Sequence, residues 1–259
     1  MTLRLDRRRF LTGLGLASTL PLSGCFDPLV ASDSAARNVL EEANDLTYRA
    51  QRLLLRSDQL APEFAASEIR QPMRPNGTVS PQDADYIALA RENFASWRLT
   101  VDGMVDRPLS LSLDDLRAMP SRTQITRHDC VEGWSCIAKW TGTPLAGLLD
   151  QARVKPQARY AVFSCLDTME NGFLGPVRYY ESIDLVDARH PQTILAYGLN
   201  DAALPVSNGA PLRVRVERQL GYKMAKFLAG ITLTDSLRDY GEGSGGYWED
   251  RGYEWFAGI

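Results

Sequence analysis

Apolar residues recur at helical spacing near the start of the chain, between Ser34 and Leu55. The apolar positions are Val39, Leu40, Ala43, Leu46, Ala50, Leu53 and Leu54. Because the pattern returns after three or four residues, these side chains share one face of a helix. We expect an N-terminal helix that either packs on the domain that follows or presents its apolar face to a partner beside a membrane.

Beyond this helix the pattern is mainly that of strands. Residues 60–95 are irregular, with four prolines and an Asn76-Gly77 turn. The segment Trp97–Val101 reads as a strand, and Asp102-Gly103 after it is typical of a hairpin. Further predicted elements are strands at 122–128, 160–163, 193–197, 212–216 and 227–233, and a short helix at 144–152. Strands with a few short helices and long loops predict an α+β fold.

Composition places the chain among ordinary globular proteins. Of its 259 residues 44% are hydrophobic and 24% charged, and the formal charge is −3. Such a chain has ample core for one large domain or two small ones. Since the charge is slightly negative and no basic stretch stands out, a nucleic-acid partner is not expected.

Residues 1–25 have the features of an export signal. Arg7-Arg8-Arg9 matches a twin-arginine signal, and an apolar stretch follows it. Because Leu22-Ser23-Gly24-Cys25 is similar to the lipobox of bacterial lipoproteins, we expect a periplasmic protein with a lipid anchor on Cys25. A plain signal peptide is the alternative. The twin-arginine route exports folded proteins, which implies a cofactor that is loaded in the cytoplasm.

Cys130 is the cysteine with the most informative surroundings. Cys25 belongs to the leader, so three cysteines remain: Cys130, Cys136 and Cys165. They form neither a disulfide framework nor a Cys-x-x-Cys zinc motif. Only two histidines are present, so a histidine-rich metal site is excluded. In an exported protein a lone thiol within a polar and aromatic segment favours a metal–thiolate bond.

The segment around this cysteine resembles a known family. Cys130-Val131-Glu132-Gly133-Trp134-Ser135 is similar to the metal-ligand motif of the sulfite oxidase-like molybdopterin oxidoreductases, in particular the periplasmic methionine sulfoxide reductase branch. Segments 141–145, 208–213 and 221–226 match further motifs in the family's order. The resemblance runs from about residue 60 to the C-terminus. It implies a mixed-sheet, barrel-like fold that binds molybdenum–molybdopterin, with Cys130 as the metal's only protein ligand.

The resemblance also implies roles for other residues. Cofactor contacts are expected at Arg74, Asn76, Asp167, Asn208, Arg213, Lys223 and Lys226. Tyr253 matches the active-site tyrosine of sulfite oxidases, which donates a hydrogen bond to a metal-bound or substrate oxygen. Other interpretations stay open. Residues 74–77 could be a simple turn, and Asp167 could cap a loop. Arg213, Lys223 and Lys226 could be solvated charges, and the aromatic tail with Tyr253 could pack as a lid. His128 shares the face of Cys130 if its strand alternates, although structural packing is the favoured interpretation.

The residues after Cys130 bear on the substrate. Sulfite oxidases have an Asn-Arg-Arg run there, whereas this chain has Val131-Glu132-Gly133-Trp134. A carboxylate beside the metal raises the cost of binding an anion, so we predict a neutral oxygen donor such as a sulfoxide. Electrons are expected from a membrane b-type or a soluble cytochrome, and the catalytic subunit is expected to be monomeric. Sulfite dehydrogenation, which the tail favours, and a non-catalytic lipoprotein binding module are the alternatives.

The domain boundaries follow from these features. We place the export signal at residues 1–25, the N-terminal helix and a linker at 26–59, and the molybdopterin-binding catalytic domain at 60–259.

Overall fold

A computed structural model describes residues 35–173 and 175–259. The chain divides into two compact units between Thr47 and Tyr48. In the first unit the described residues form the beginning of helix α1, Ala35–Leu54, which confirms the predicted helix. The predicted export signal and Cys25 lie outside the described residues. No helix in the described part of the chain has the length and apolarity needed to cross a bilayer.

The second unit begins within the last two turns of α1. Arg52 donates hydrogen bonds to Asp184 at 2.7 Å and to Asp187 at 2.8 Å, and the Tyr48 hydroxyl donates to Asp184 at 2.9 Å. Arg218 also donates to Asp187, at 2.6 Å. Because Asp187 is almost fully buried, these bonds compensate its desolvation and fix the end of α1 on the unit.

The remaining elements of the second unit are short helices and two sheets. The helices are α2 Ala84–Arg91, α3 Leu113–Ala118, α4 Leu145–Ala152 and α5 Leu185–Ala188. The strands are β1 Leu99–Gly103, β2 Leu109–Leu111, β3 Arg122–Cys130, β4 Trp134–Pro144, β5 Tyr160–Gly172, β6 Gly175–Asp184, β7 Ile194–Leu199, β8 Ala202–Ala203, β9 Arg213–Arg215 and β10 Leu228–Thr234. Single 3₁₀ turns lie at Ala66–Glu68, Val206–Asn208, Gly221–Lys223 and Glu249–Arg251.

The first sheet has the strand order β2-β1-β10-β5-β6. Its central pair β1 and β10 is parallel, and the other pairs are antiparallel. Strands β5 and β6 form a long hairpin in which Tyr160 faces Asp184 and Gly172 faces Gly175. The hairpin's register shifts between Ser164 and Thr168, and such an irregularity redirects side chains.

The second sheet has the order β3-β4-β7-β8, and β9 also pairs with β7. Strands β3 and β4 form an antiparallel hairpin in which His128 faces Cys136 and Cys130 faces Trp134. Burial alternates along β3, so Thr126, His128 and Cys130 share its buried face. The hairpin therefore presents Cys130 at the point where the strand ends.

A large apolar core joins the first sheet to the helices. It includes fully buried side chains of β1, α4, β5 and β10, among them Leu99, Leu148, Phe163 and Ile231. A smaller cluster around Trp140 lies in the second sheet. Burying one side chain of this size contributes about 1.5–3 kcal/mol to the stability of the folded state. Because Leu195 of β7 and Val214 of β9 belong to the same core, it also holds the two sheets together.

This architecture confirms the predicted α+β class. The expectation that all of residues 60–95 would be irregular is wrong, because α2 occupies 84–91. Its eight residues contribute only one buried side chain, Tyr86, which is too few for a periodic signal. The boundaries proposed at residues 25 and 59 stay predictions.

Candidate active site

Cys130 lines a cavity of about 160 Å³. The other lining residues come from several distant parts of the second unit: Asn76, Gly77, Thr78, Val131, Glu132, Asp167, Met169, Tyr179, Gly221, Tyr222, Met224, Lys226, Trp248 and Tyr253. Five of the residues singled out from the sequence are therefore brought together, namely Cys130, Asn76, Asp167, Lys226 and Tyr253. Among the described residues, no group of three or more His, Cys, Asp or Glu side chains is arranged to hold a metal ion.

The turn after Cys130 sets the position of its thiol. Gly133 has a φ of +83°, which a glycine adopts without strain, and its N–H donates to the carbonyl of Cys130 at 3.0 Å. Burial, together with the nearby Glu132 carboxylate, raises the pKa of the Cys130 thiol. The free thiol is therefore protonated at neutral pH, and a bound metal ion would be needed to hold it as a thiolate.

Glu132 and Arg74 are linked through the Trp134 indole. The indole N–H donates to Glu132 at 2.8 Å, and the Arg74 guanidinium lies 4.6 Å from the centre of a Trp134 ring. Arg127 forms an ion pair with Asp129 at 2.8 Å. The structure thus places Arg74 against the Trp134 ring and outside the set of residues that line the cavity.

Lys226 holds the segment 76–78 in place. Its ammonium group donates to the backbone carbonyls of Asn76 and Thr78, and more weakly to that of Ser207 at 3.4 Å. Burial and repulsion by Arg213 lower the pKa of Lys226 to about 7. A buried cation of this kind gains from a nearby anion, because an opposite charge compensates its desolvation.

Arg213 and Asn208 lie next to Lys226. Arg213, on β9, is fully buried and donates to the carbonyls of Asn208 at 3.1 Å and Met224 at 3.3 Å. Burial and the neighbouring Arg215 lower the pKa of Arg213. Gly209 has a φ of +110°, and a Cβ there would lie 2.9 Å from the Cβ of Lys226. Glycine therefore permits the turn that packs Asn208 against the two cations.

Several buried polar atoms in this region have no hydrogen-bond partner among the described residues. Two are acceptors, Asn76 Oδ1 and Asp167 Oδ1, and two are donors, Asn208 Nδ2 and Arg213 Nε. Burial raises the pKa of Asp167. Buried polar groups in native proteins are nearly always paired. These residues therefore suit a ligand that offers both donors and acceptors and has an anionic end, and a pterin phosphate has these properties.

Lys223 does not reach the cavity. Its ammonium lies 2.5 Å from a carboxylate oxygen of Glu181 and 2.5 Å from one of Glu249, and all three side chains are buried. Burial raises the pKa of Glu181 well above its usual range, and the attraction of the two carboxylates raises that of Lys223. In this position Lys223 links β6 to the C-terminal tail.

The C-terminal tail contributes an aromatic wall to the cavity. Tyr253 stacks on Trp248 at 5.3 Å between ring centres, and it meets Tyr222 edge-on at 5.3 Å. Trp248, which the sequence argument did not single out, lines the cavity as well. Its place in the aromatic tail was the only indication available from the sequence.

His128 lies on the buried face of β3 that it shares with Cys130. It is fully buried, and its Nδ1 lies 2.8 Å from Nη1 of Arg215. Its Nε2 has no hydrogen-bond partner among the described residues. Burial and the positive charges of Arg215, Arg213 and Lys226 lower the pKa of His128 well below its usual value.

Residues 86–240, more than half of the chain, match the family model described as the oxidoreductase molybdopterin binding domain. The chain belongs to this family. The prediction of a molybdopterin-dependent enzyme is thereby confirmed, as is the predicted fold.

Named relatives of this molybdopterin-binding oxidoreductase include three bacterial proteins. A protein of Azospira oryzae, provisionally named a protein-methionine-sulfoxide reductase subunit YedZ1, is 35% identical over 98% of this chain and 86% of its own length. Protein-methionine-sulfoxide reductase catalytic subunits MsrP are similar too. The one from Ralstonia nicotianae is 37% identical over 61% of this chain and 49% of that protein. The one from Xanthomonas axonopodis is 31% identical over 90% of this chain and 71% of that protein.

A solved structure with a partial likeness is the sulfane dehydrogenase SoxCD from Paracoccus pantotrophus. It is 23% identical to this oxidoreductase and covers 54% of this chain and 38% of its own, with a TM-score of 0.48. At that distance the likeness carries no argument about activity.

Proposed function

We propose that this protein is a molybdenum–molybdopterin oxidoreductase of the cell envelope that reduces a sulfoxide-type substrate. The observation that supports it most is the meeting of Cys130 with unpartnered buried donors and acceptors and buried cations in one region. Cys130 would hold the molybdenum. Asn76, Asp167 and Asn208 would contact the pterin, and Arg213 and Lys226 its phosphate.

When bound, the cofactor supplies two-electron oxygen-atom transfer. The overall reaction would take a sulfoxide, two electrons and two protons to a thioether and water. The protein's part is to bind the substrate next to Cys130 and to orient its oxygen. Tyr253 is the proposed donor of a hydrogen bond to that oxygen. The assignments of Arg74 and Lys223 as direct contacts have less support, since neither lines the cavity and neither is among the described buried groups without a hydrogen-bond partner.

The walls of the cavity favour an uncharged substrate. They include apolar and aromatic side chains, those of Val131, Met169 and Trp248, and also Glu132, which follows Cys130 by two residues. A carboxylate there disfavours sulfite, whereas alkyl sulfur groups pack well on aromatic rings. The relatives named as methionine-sulfoxide reductases agree with this choice. Sulfite dehydrogenation remains the second candidate, because the tail places Tyr253 at the cavity as the resemblance to sulfite oxidases implies.

The location and the partner are proposed from the sequence. The Arg7-Arg8-Arg9 signal supports export in a folded state, and Cys25 supports a lipid anchor. A membrane b-type cytochrome is the proposed electron donor, with a soluble cytochrome as the alternative. Replacing Cys25 by serine should move the protein from the membrane fraction to the soluble periplasm, and unchanged membrane retention would contradict the anchor.

Metal and pterin analysis tests the proposed function directly. Protein purified from a host that makes molybdopterin should contain about one molybdenum per chain. Folded, correctly exported protein without molybdenum would contradict it. Cys130→Ala should lose the molybdenum and all turnover while the fold is kept. Cys136→Ala is the matched control, because this buried thiol in β4 does not line the cavity.

Substrate assays with an artificial redox dye separate the two candidate reactions. Methionine sulfoxide should oxidise the reduced dye faster than sulfite reduces the oxidised dye, and the reverse order would favour a sulfite dehydrogenase. Tyr253→Phe should lower kcat by about tenfold to a hundredfold, the scale of one hydrogen bond to a charged group. A rate within a factor of two of wild type would exclude Tyr253 from the reaction.

A further inference from the structure

The imidazole of His128 is hydrogen-bonded through one of its two nitrogens. Its Nδ1 lies 2.8 Å from Nη1 of Arg215. A guanidinium group has only donors, so Nδ1 must accept this hydrogen bond. The ring then carries its proton on Nε2, which is the other possible hydrogen-bonding position.

Arg215 is itself held in one position. Its Nε and Nη2 donate to the Glu217 carboxylate at 2.9 Å and 2.6 Å, and its guanidinium lies 4.4 Å from the centre of a Trp140 ring. Gln124 donates to the same carboxylate at 2.9 Å. Because this network is buried and its geometry is bidentate, it leaves His128 a single orientation.

The other ring nitrogen has nothing to bind. His128 is fully buried, and Nε2 has no hydrogen-bond partner in the part of the chain that the structure describes. Leaving a buried donor unpaired is unfavourable, because the group has given up its hydrogen bonds to water and gained none in return. A network that fixes this proton so firmly and then provides no acceptor indicates that the acceptor comes from outside the chain.

The surroundings of Nε2 indicate what that acceptor is. A Cβ at Gly221 would lie 2.4 Å from Nε2, and Gly221 lines the cavity. His128 is also on the same buried face of β3 as Cys130, two residues before it. The donor therefore lies beside the site where the cofactor is expected, together with the unpartnered donors of Asn208 and Arg213.

We propose that His128 is a cofactor-binding residue whose Nε2–H donates a hydrogen bond to the molybdopterin group, and that the Glu217–Arg215 pair fixes the imidazole in the tautomer this requires. The inference rests on the proposed function, since it assumes that molybdopterin binds at Cys130. In this proposal the buried Glu217–Arg215 ion pair positions a cofactor-binding side chain in addition to packing in the interior.

Two substitutions separate the two nitrogens. His128→Asn places an amide oxygen near the position of Nδ1, which keeps the link to Arg215 and removes the Nε2 donor. His128→Gln places an amide N–H near Nε2 and gives up the link to Arg215. The pterin content per chain and the rate at which loaded protein loses pterin, followed by fluorescence after oxidation, are then measured. Urea unfolding of each apoprotein verifies that it folds.

The expected ranking is specific. His128→Asn should lose pterin about tenfold faster than wild type, whereas His128→Gln should stay within about twofold, because tenfold corresponds to about 1.4 kcal/mol, the scale of one hydrogen bond. The opposite ranking, or equal rates in both variants, would overturn the proposal. If even the wild-type chain contains no pterin, the proposed function itself fails. If wild type contains pterin but the variants do not rank as expected, only the role of His128 fails.

A measurement on the unaltered chain gives the same test without a variant. The sequence has two histidines, so ¹⁵N-histidine labelling yields a sparse NMR spectrum. His190 is the internal control, because its Nε2 already lies 2.9 Å from the Gln59 carbonyl. Loading with molybdopterin should shift the Nε2–H proton of His128 downfield and leave that of His190 in place. Unchanged resonances for both would overturn the inference.

Discussion

Removing the ammonium group of Lys223 should destabilise the apoprotein by about 3 kcal/mol at pH 8. In Lys223→Met the carboxylates of Glu181 and Glu249, both at most 1% exposed, lose their shared counter-charge. Breaking a buried ion pair from one side typically costs 3–5 kcal/mol, and the methionine offsets a small part of this through its own burial.

The size of the loss should depend on pH. Burial already raises the pKa of Glu181 well above its usual range, and the attraction of Lys223 opposes that rise. Without Lys223 the pKa of Glu181 therefore rises further. The folded variant then keeps this proton to a higher pH than the folded wild type does, so the stability that the variant loses relative to wild type increases as the pH rises. The deficit should therefore be smaller near pH 5 than near pH 8.

Urea unfolding of the apoprotein measures this deficit. With a slope of about 2 kcal/mol per molar urea, 3 kcal/mol corresponds to a midpoint lowered by about 1.5 M. Lys139→Met is the matched control, because in the Lys139–Asp201 pair at 2.7 Å the lysine is 29% and the aspartate 73% exposed, and losing this pair should cost less than about 1 kcal/mol. The reasoning is refuted if Lys223→Met costs no more than Lys139→Met, or if its deficit is larger at pH 5 than at pH 8.

Three further results are expected. Lys226 has a folded-state pKa of about 7 against about 10.4 unfolded, so its own contribution to apoprotein stability should rise from pH 7 to pH 10; the stability of wild type relative to Lys226→Met should therefore rise over this range in urea titrations, and a constant difference would contradict it. Gly221→Ala should lower pterin content and the urea midpoint, because its Cβ would lie 2.4 Å from the His128 ring; wild-type values of both would contradict this, since the backbone would then have moved far enough to accommodate the methyl group. Phe173→Ser should leave the free energy of unfolding, measured by thermal unfolding, within about 0.5 kcal/mol of wild type, since Phe173 is fully exposed; a larger loss would reveal contacts that the exposed position does not suggest.

The local parts of the site were predictable from the sequence. The cysteine motif and the turn after it lie within a few residues of one another, and the order of the motifs pointed to Asn208, Arg213 and Lys226. Alternation in 122–128 also placed His128 on the same face as Cys130, and the structure confirms that placement. These inferences needed only local spacing and chain order.

The long-range electrostatics were not predictable. Lys223 resembled a cofactor contact, yet its partners Glu181 and Glu249 come from distant segments, and nothing in the spacing of these residues indicates a shared site. Strand β6 was missed for a related reason, because its buried positions include polar residues such as Glu181 and Ser182. A hydrophobicity pattern does not distinguish a buried, paired charge from a solvated one.

The wide separation of the cavity's walls along the chain has a consequence for folding. The segments 76–78, 130–132, 167–169, 221–226 and 248–253 each contribute lining residues, as does Tyr179, so an intermediate that lacks any of these segments lacks a complete site. Long-range assembly of this kind is slow, and a ligand that recognises only the finished site cannot accelerate it. Such a ligand acts afterwards, by stabilising the native state through mass action. The apoprotein must therefore complete its fold without help from the cofactor. Cofactor occupancy then shows that the chain from residue 76 to residue 253 has folded correctly.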